Sequence, residues 1–392
     1  MQTFDVVILG AGMVGLALAR GLEKSALNIA VVEPHLPEPL AEQRDFALRV
    51  SAISPASELF LNQLGAWKLI EKQRLQSYQR MHVWEKDSFA KIDFDCQQAI
   101  LPALGHIIEN EVIRDSLWQQ VSQQSNVSVI NEACVKFEQG PRDAWLQFEQ
   151  TGVVTAQLVV GAEGAHSWLR EQLDVPLTFW DYQHHALVAT IRTELPHQNC
   201  ARQIFTPQGP LAFLPLSDPH LCSIVWSVEQ SRAEQLQSFD TARFNQELTV
   251  AFDAQLGQCQ RVSALECYPL RMRYARQFAG ERFALIGDAA HTIHPLAGQG
   301  VNLGLADAKA LAAILCQLSQ QGEDLGEYRF LRSWERERKT QAMVMISAME
   351  FFKQLFSGSA PAKKLLRGIG MRVTDQLPMV KQRWLAKALD LG

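Results

Sequence analysis

Three short runs in this 392-residue chain have the residue types and spacing to hold a phosphorylated, hydroxyl-rich ligand. The first is Gly10-Ala11-Gly12-Met13-Val14-Gly15. In a G-x-G-x-x-G turn the first glycine permits a sharp bend, and the second lets the backbone approach a pyrophosphate. The third lets helix pack on strand. The helix that follows offers unpaired N–H groups to the phosphates. Glu33 stands at the end of the next expected strand. A carboxylate there accepts hydrogen bonds from both hydroxyls of an adenosine ribose and repels a 2′-phosphate, which points to FAD or NAD and away from NADP. The second run is Gly287-Asp288-Ala289-Ala290-His291, continuing through Pro295-Leu296-Ala297-Gly298-Gln299-Gly300-Val301-Asn302. An aspartate in such a turn can hydrogen-bond a sugar alcohol. A helix starting at residues 300–302 puts its positive end where a reduced flavin carries negative charge. The third run is Val160-Gly161-Ala162-Glu163-Gly164-Ala165-His166-Ser167-Trp168-Leu169-Arg170. A pyrophosphate turn and a polyol turn this far apart in sequence suit a long cofactor such as FAD.

Each run follows a segment that reads as a buried strand. Asp5-Val6-Val7-Ile8-Leu9, residues 157–161 and Phe283-Ala284-Leu285-Ile286-Gly287 are apolar on both faces, as in a parallel sheet covered on both sides. Residues 28–33 read as another strand, and residues 16–22, 55–75 and 110–123 as helices. Between about 180 and 275 the texture changes to alternating runs such as 186–192 and 211–216, broken by Pro and Gly, which indicates a mostly antiparallel sheet. The expected fold is therefore α/β. A Rossmann-like FAD-binding domain (residues 1–175 with 276–350) is interrupted by a substrate-binding sheet domain (176–275), and a C-terminal helical tail (351–392) follows.

Composition sets the outer limits. Hydrophobic residues form 47% of the chain and charged residues 20%, which excludes wholesale disorder. A net charge of −5 argues against general nucleic-acid binding. Seven cysteines with no C-x-x-C pair read as reduced core thiols, not a disulfide framework or zinc site. The N-terminus reads as a strand and not as a secretory signal, and no run has the apolar length of a membrane span. Residues 353–392 hold eight basic residues against Asp375 and Asp390, interleaved with apolar Leu365, Leu366, Ile369, Met371, Val373 and Trp384. Two readings stay open for this tail: an ordinary packed helix with a solvated face, or a surface resting on anionic lipid or a partner.

Taken together, the three runs resemble the fingerprints of the single-component flavin aromatic hydroxylases, the group of para-hydroxybenzoate hydroxylase. Within that group the chain resembles the ubiquinone-biosynthesis monooxygenases, and most of all the early-acting 2-polyprenylphenol hydroxylases. That closer likeness is carried by Arg49-Val50-Ser51-Ala52-Ile53, Trp180-Asp181-Tyr182-Gln183-His184-His185, Gly209-Pro210-Leu211-Ala212-Phe213-Leu214-Pro215-Leu216 and the run from His291 to Asn302.

The resemblance implies that Gly10, Gly12, Gly15 and Glu33 hold the ADP half of FAD, with Arg49 near the phosphates. It implies that Gly287 and Asp288 hold the ribityl chain. Pro295 would lie at the ring edge where oxygen reacts, and Gly298, Gly300 and Asn302 against the ring. Glu163 stands where relatives have Asp, one methylene longer with the charge kept, and would contact the cofactor or the nicotinamide nucleotide. Glu109 stands where relatives often place Arg or Gln against the cofactor; an acid there, near phosphates, must be turned away or paired. The implied chemistry is ring hydroxylation of a polyprenylphenol by molecular oxygen through a flavin C4a-hydroperoxide, with NAD(P)H as a transient donor. Phe213 is the expected substrate contact, ahead of Phe205, Trp226 and Phe252. His184 and His185 point to opposite faces of a strand, so at most one faces substrate. No metal is expected, because His291 and His294 lack a third ligand. Other quinone-biosynthesis proteins are expected partners. The expected location is the cytoplasm, or peripherally on the inner face of the membrane. Two alternatives remain: a flavin dehydrogenase or reductase of the same fold, and a non-catalytic flavin-bearing member of a quinone-synthesis complex.

Overall fold

The computed structural model describes residues 2–41, 44–292 and 300–356. Its first layer is a sheet with a parallel centre. Strands Phe283–Leu285, Val153–Gly161, Gln2–Leu9, Ile29–Val32 and Val127–Ile130 lie side by side in that order, all parallel. Val6, Val7, Ile8, Val31 and Val159 are fully buried, because helices and loops cover both faces. Helix Met13–Gly21 packs against helices Asn110–Val121 and Gly300–Gln321. Contact with the last is close: a Cβ on Gly21 would stand 3.0 Å from the Cβ of Ala312.

The second layer is a mostly antiparallel sheet. Its path runs His291–Thr292, Glu266–Ala275, Leu177–Thr193, Leu221–Glu229, Gly209–Pro215, Cys200–Thr206, Arg80–Glu85 and Lys91–Asp95. The last two strands come from within the first expected segment. They join through the parallel pairing of Arg80–Glu85 with Cys200–Thr206, so the two layers exchange chain more often than the residue texture shows. A small three-stranded sheet, Val50–Ile53, Gly105–Glu109 and Gln76–Tyr78, sits between them. Its Ala52, Tyr78 and Ile107 share a core with Ala201, Ala212 and Leu214 of the second layer.

Alternation along the second sheet separates its two faces. Leu187, Ala189, Ile191, Ile224, Trp226 and Phe213 pack beneath helices Gln230–Ser238 and Thr241–Ala251, against Phe244, Leu248 and Phe252. Ala186, Val188, Ser223 and Val225 point the other way, toward the first layer. Strand Leu177–Thr193 joins the layers and shifts register between Asp181 and His184, with Gln183 at φ +54°.

The helix Gly300–Gln321 is long and apolar enough to cross a membrane, contrary to the expectation that no segment is. It is a core helix instead: Leu305, Ala308, Leu311 and Leu315 are fully buried. The seven cysteines are free thiols, as their spacing indicates.

Candidate functional site

The three runs meet because their strands are neighbours. Gln2–Leu9, Val153–Gly161 and Phe283–Leu285 are adjacent and parallel, so the turns after them emerge at the same carboxyl edge. Backbone bonds tie them there: Ala162 N donates to Leu9 O at 2.8 Å and Ile286 N to Gly161 O at 3.0 Å. Arg170, buried, bridges the second and third turns by donating to Ala289 O at 2.9 Å and Ala165 O at 3.0 Å. Arg273 also donates to Ala165 O, at 3.0 Å.

Between this edge and the second sheet lies a cleft of about 750 Å³. Gly10, Gly12, Glu33, Arg49, Glu163, Gly287, Asp288 and Gly300 line it, so eight of the anticipated cofactor residues converge. The opposite wall is apolar in the main, with Ala186, Val188, Val225 and Leu270.

Gly10 turns at φ +103°. Gly15 allows helix on strand, since a Cβ there would stand 2.2 Å from Gly10 O. Above Gly12 the space is open: a Cβ would meet nothing nearer than Ala162 O at 4.0 Å. That opening, beside the N-terminus of helix Met13–Gly21, is the cradle a pyrophosphate needs. Glu33 also braces the turn, accepting from Ala11 N at 2.9 Å and His35 N at 3.0 Å. Each of its oxygens keeps a lone pair for a ribose hydroxyl.

Asp288 is open to the cleft but hemmed in by protein. This confinement raises its pKa, against the pull of His291, Arg49 and Arg273. Behind it lies a fully buried group. Asp307 accepts from Gly287 N at 3.0 Å, pairs with His291 Nε2 at 2.6 Å and accepts from Arg338 Nε at 2.7 Å. Burial alone would raise Asp307; His291 and Arg338 outweigh it and hold the carboxyl below its ordinary range. Gly304, whose Cβ would stand 2.7 Å from Val14 Cγ2, lets the long helix press on the same turn.

Several expectations meet a different geometry. Asn302 does not line the cleft. Its amide is used within the chain, with Oδ1 accepting from Ser54 N at 3.1 Å and Nδ2 donating to Ala52 O at 2.8 Å. Phe213 is corrected as well. It lies on the far face of the second sheet, fully buried and stacked on Phe252 at 3.7 Å, because an odd position on that strand faces the helices. Trp226 and Phe252 belong to the same core. His184 and His185 lie outside the described cleft lining. Glu163 turns inward, accepting from Ser167 Oγ at 2.6 Å and Leu169 N at 3.1 Å, and burial raises its pKa. Glu109 is paired, with Arg44 at 2.8 Å and Arg74 at 3.0 Å, which disposes of the repulsion an acid would cause. Pro295, Gly298 and His294 lie outside the described residues.

The residue pattern alone did not single out Arg114, which lines the cleft, or Asp307 and Arg338, which brace it from behind. A cation in the first turns of the helix expected at 110–123 is a usable signal for Arg114. Asp307 and Arg338 sit inside ordinary helical patterns and give none.

Comparison with known proteins shows the family to which the chain belongs. Residues 3–348 match the model of a family described as FAD binding domain. The 3-demethoxyubiquinol 3-hydroxylase of Escherichia coli is 34% identical, over 100% of this chain and 99% of its own. The mitochondrial ubiquinone biosynthesis monooxygenase COQ6 of Homo sapiens is 33% identical, over 98% of this chain and 92% of its own. Among solved structures, the p-nitrophenol 4-monooxygenase PnpA of Pseudomonas putida superposes with a TM-score of 0.80 at 19% identity, covering 100% of this chain and 98% of its own; at that identity it shows the fold. The chain is thus an FAD-dependent monooxygenase, and it belongs to the FAD-binding family that includes the ubiquinone-biosynthesis hydroxylases.

Proposed function

We propose that this protein hydroxylates the aromatic ring of a polyprenylated phenol on the route to ubiquinone, taking electrons from NAD(P)H or another external donor. One oxygen atom of O₂ enters the ring and the other leaves as water. The observation that carries this reading is the two-walled cleft: three polar turns on one side and an apolar sheet face on the other. When bound, FAD supplies the two-electron reduction of O₂ that makes an oxygen atom electrophilic toward an activated ring.

The chain's own residues bind, orient and exclude water. Gly10, Gly12 and the helix after them would hold the pyrophosphate, with Gly15 permitting the close packing, Glu33 the ribose, and Gly287 and Asp288 the ribityl chain. Arg49 and Arg114 line the same cleft and supply positive charge for phosphates. Glu163 fixes the third turn. The side chains of Ala186, Val188, Val225 and Leu270 offer water no hydrogen-bond partner over their part of the wall, which favours oxygen transfer over loss of reduced oxygen to solvent. By family resemblance Pro295 would lie at the ring edge, and Gly298 and Gly300 would face the ring's pyrimidine side. Other quinone-biosynthesis proteins, and a membrane surface met by the basic tail, are the proposed partners.

The test is turnover of a short-chain prenylphenol by FAD-loaded protein under ¹⁸O₂. One labelled oxygen in the product supports the reading. Oxidised product without label would favour a dehydrogenase and overturn it. The relative in Escherichia coli is named for 3-hydroxylation of 3-demethoxyubiquinol, whereas the motifs resemble the 2-polyprenylphenol hydroxylases. Rescue of strains lacking each ring hydroxylase, with the accumulating precursor identified by mass, assigns the ring carbon.

A further inference from the structure

Strands Leu177–Thr193 and Leu221–Glu229 pair so that Thr190 stands directly opposite Ser223, and Val188 opposite Val225. Side chains two residues apart share a face. Ala186, Val188, Ser223 and Val225 line the cleft, so Thr190 belongs to the same face, one step beyond the lining residue Val188 and directly across from Ser223. Ser223 is 1% exposed and Thr190 4%. Neither hydroxyl oxygen has a hydrogen-bond partner among the described residues. Other hydroxyls nearby do: Ser51 Oγ donates to Asn110 Oδ1 at 2.7 Å and Thr193 Oγ1 to Leu195 O at 2.8 Å. Leaving a buried hydroxyl unpaired carries a desolvation cost that alanine or valine in the same space would avoid. Opposed residues in a sheet have Cβ atoms roughly 5 Å apart, within reach of one shared ligand atom.

We propose that the hydroxyls of Ser223 and Thr190 form the contact for a ring oxygen of the substrate, an assignment that rests on the prenylphenol reading above. The chemistry of the patch sets the class of that oxygen. Leu214 pairs with Ser223 on the next strand, and Val188 and Val225 flank it; the charged residues in register on this face, Arg192 beyond Thr190 and Glu266 opposite Val188, are exposed to solvent. A carboxylate would be buried there without a cation. A phenol hydroxyl or an aryl ether is neutral, and a serine can donate to either. The pair thus reads oxygenation of the ring, while the apolar wall beside it takes the carbon substituents.

The test uses the full chain loaded with FAD and three probes: 2-methoxy-6-prenylphenol, its analogue without the phenol oxygen, and its analogue with ethyl in place of methoxy. Dissociation constants are read from the change in the flavin absorption band. One of the two oxygen deletions is expected to weaken binding to the wild type about tenfold, matching one hydrogen bond. Ser223→Ala should bind that analogue as the wild type does and lose the tenfold preference. Thr190→Val, which removes the other hydroxyl at constant volume, should also reduce it, and carries the test if Ser223→Ala fails to retain FAD. If both variants discriminate against both deletions as strongly as the wild type, the assignment is overturned. If no probe perturbs the wild-type flavin, the prenylphenol reading itself fails, and this assignment with it.

Discussion

At Gly10 the backbone leaves no room for a side chain: φ is +103°, and Ala162 O lies 2.7 Å from where a Cβ would stand. Gly10→Ala must therefore move either the turn or the neighbouring strand end. Its expected outcome is at least a tenfold loss of FAD affinity with the fold retained, read as the ratio of flavin to protein absorbance after desalting. Glu163 gives the opposite forecast. Its carboxylate serves Ser167 and Leu169 within the chain, and a Gln retains an acceptor there. Glu163→Gln should keep FAD content within about twofold of the wild type. Burial raises the Glu163 pKa, so the native state binds more protons than the unfolded one between the ordinary glutamate range and that raised value. Wild-type stability relative to Glu163→Gln should thus fall as pH rises through that window, as urea titrations at several pH values will show. An upward slope would mean that the carboxylate is stabilised as an anion, against this reading.

Two helices are fastened to the polyol turn by a single buried carboxylate. Asp307, on helix Gly300–Gln321, holds Gly287 N and His291 on one side and Arg338, on helix Tyr328–Phe356, on the other. Both partners of the ion pair are at most 3% exposed, so removing one strands the other charge. Arg338→Leu should cost about 3–5 kcal/mol in urea unfolding. It should also weaken FAD binding, although Arg338 does not line the cleft. Unchanged stability would show that the pair is dispensable. The Asp307 pKa is depressed, so its contribution is present above the ordinary aspartate range and disappears as pH falls through the lower native value. Comparison of the wild type with Asp307→Asn should show the gap closing below about pH 4.

The described residues form two main sheet layers that close on the cofactor cleft, with helix Tyr328–Phe356 preceding the basic segment. Ile346 on that helix packs against Ala186, Leu270 and Met272, near the apolar wall. The helix that precedes the tail thus touches residues of the apolar wall, Ala186 and Leu270, that line the cleft. Residues 357–392 lie outside the described structure, so the tail's role is tested by removal. A chain ending at Phe356 should keep its FAD and its spectrum but lose most of its retention on vesicles containing anionic lipid, measured by flotation. Equal flotation of both chains would assign the basic segment to ordinary packing.

Local chemistry made much of this protein legible in advance. The glycine turn, Glu33 and the Gly287-Asp288 turn each follow an apolar run that can only be a buried strand, and each declares its task through residue types a few positions apart. The alternating texture after residue 180 likewise announces an antiparallel sheet. Tertiary structure decided whatever depends on which face a residue meets. Phe213 and Ser223 lie on neighbouring strands of one sheet. A phase of one residue sends the aromatic ring into the core under the helices, and the other register sends the hydroxyl into the cleft. Asn302 shows the same limit, its amide spent on Ser54 and Ala52, some 250 residues back in the chain. Side-chain period is local and can be read from residue order. The phase of that period against a distant surface is set only when the layers pack.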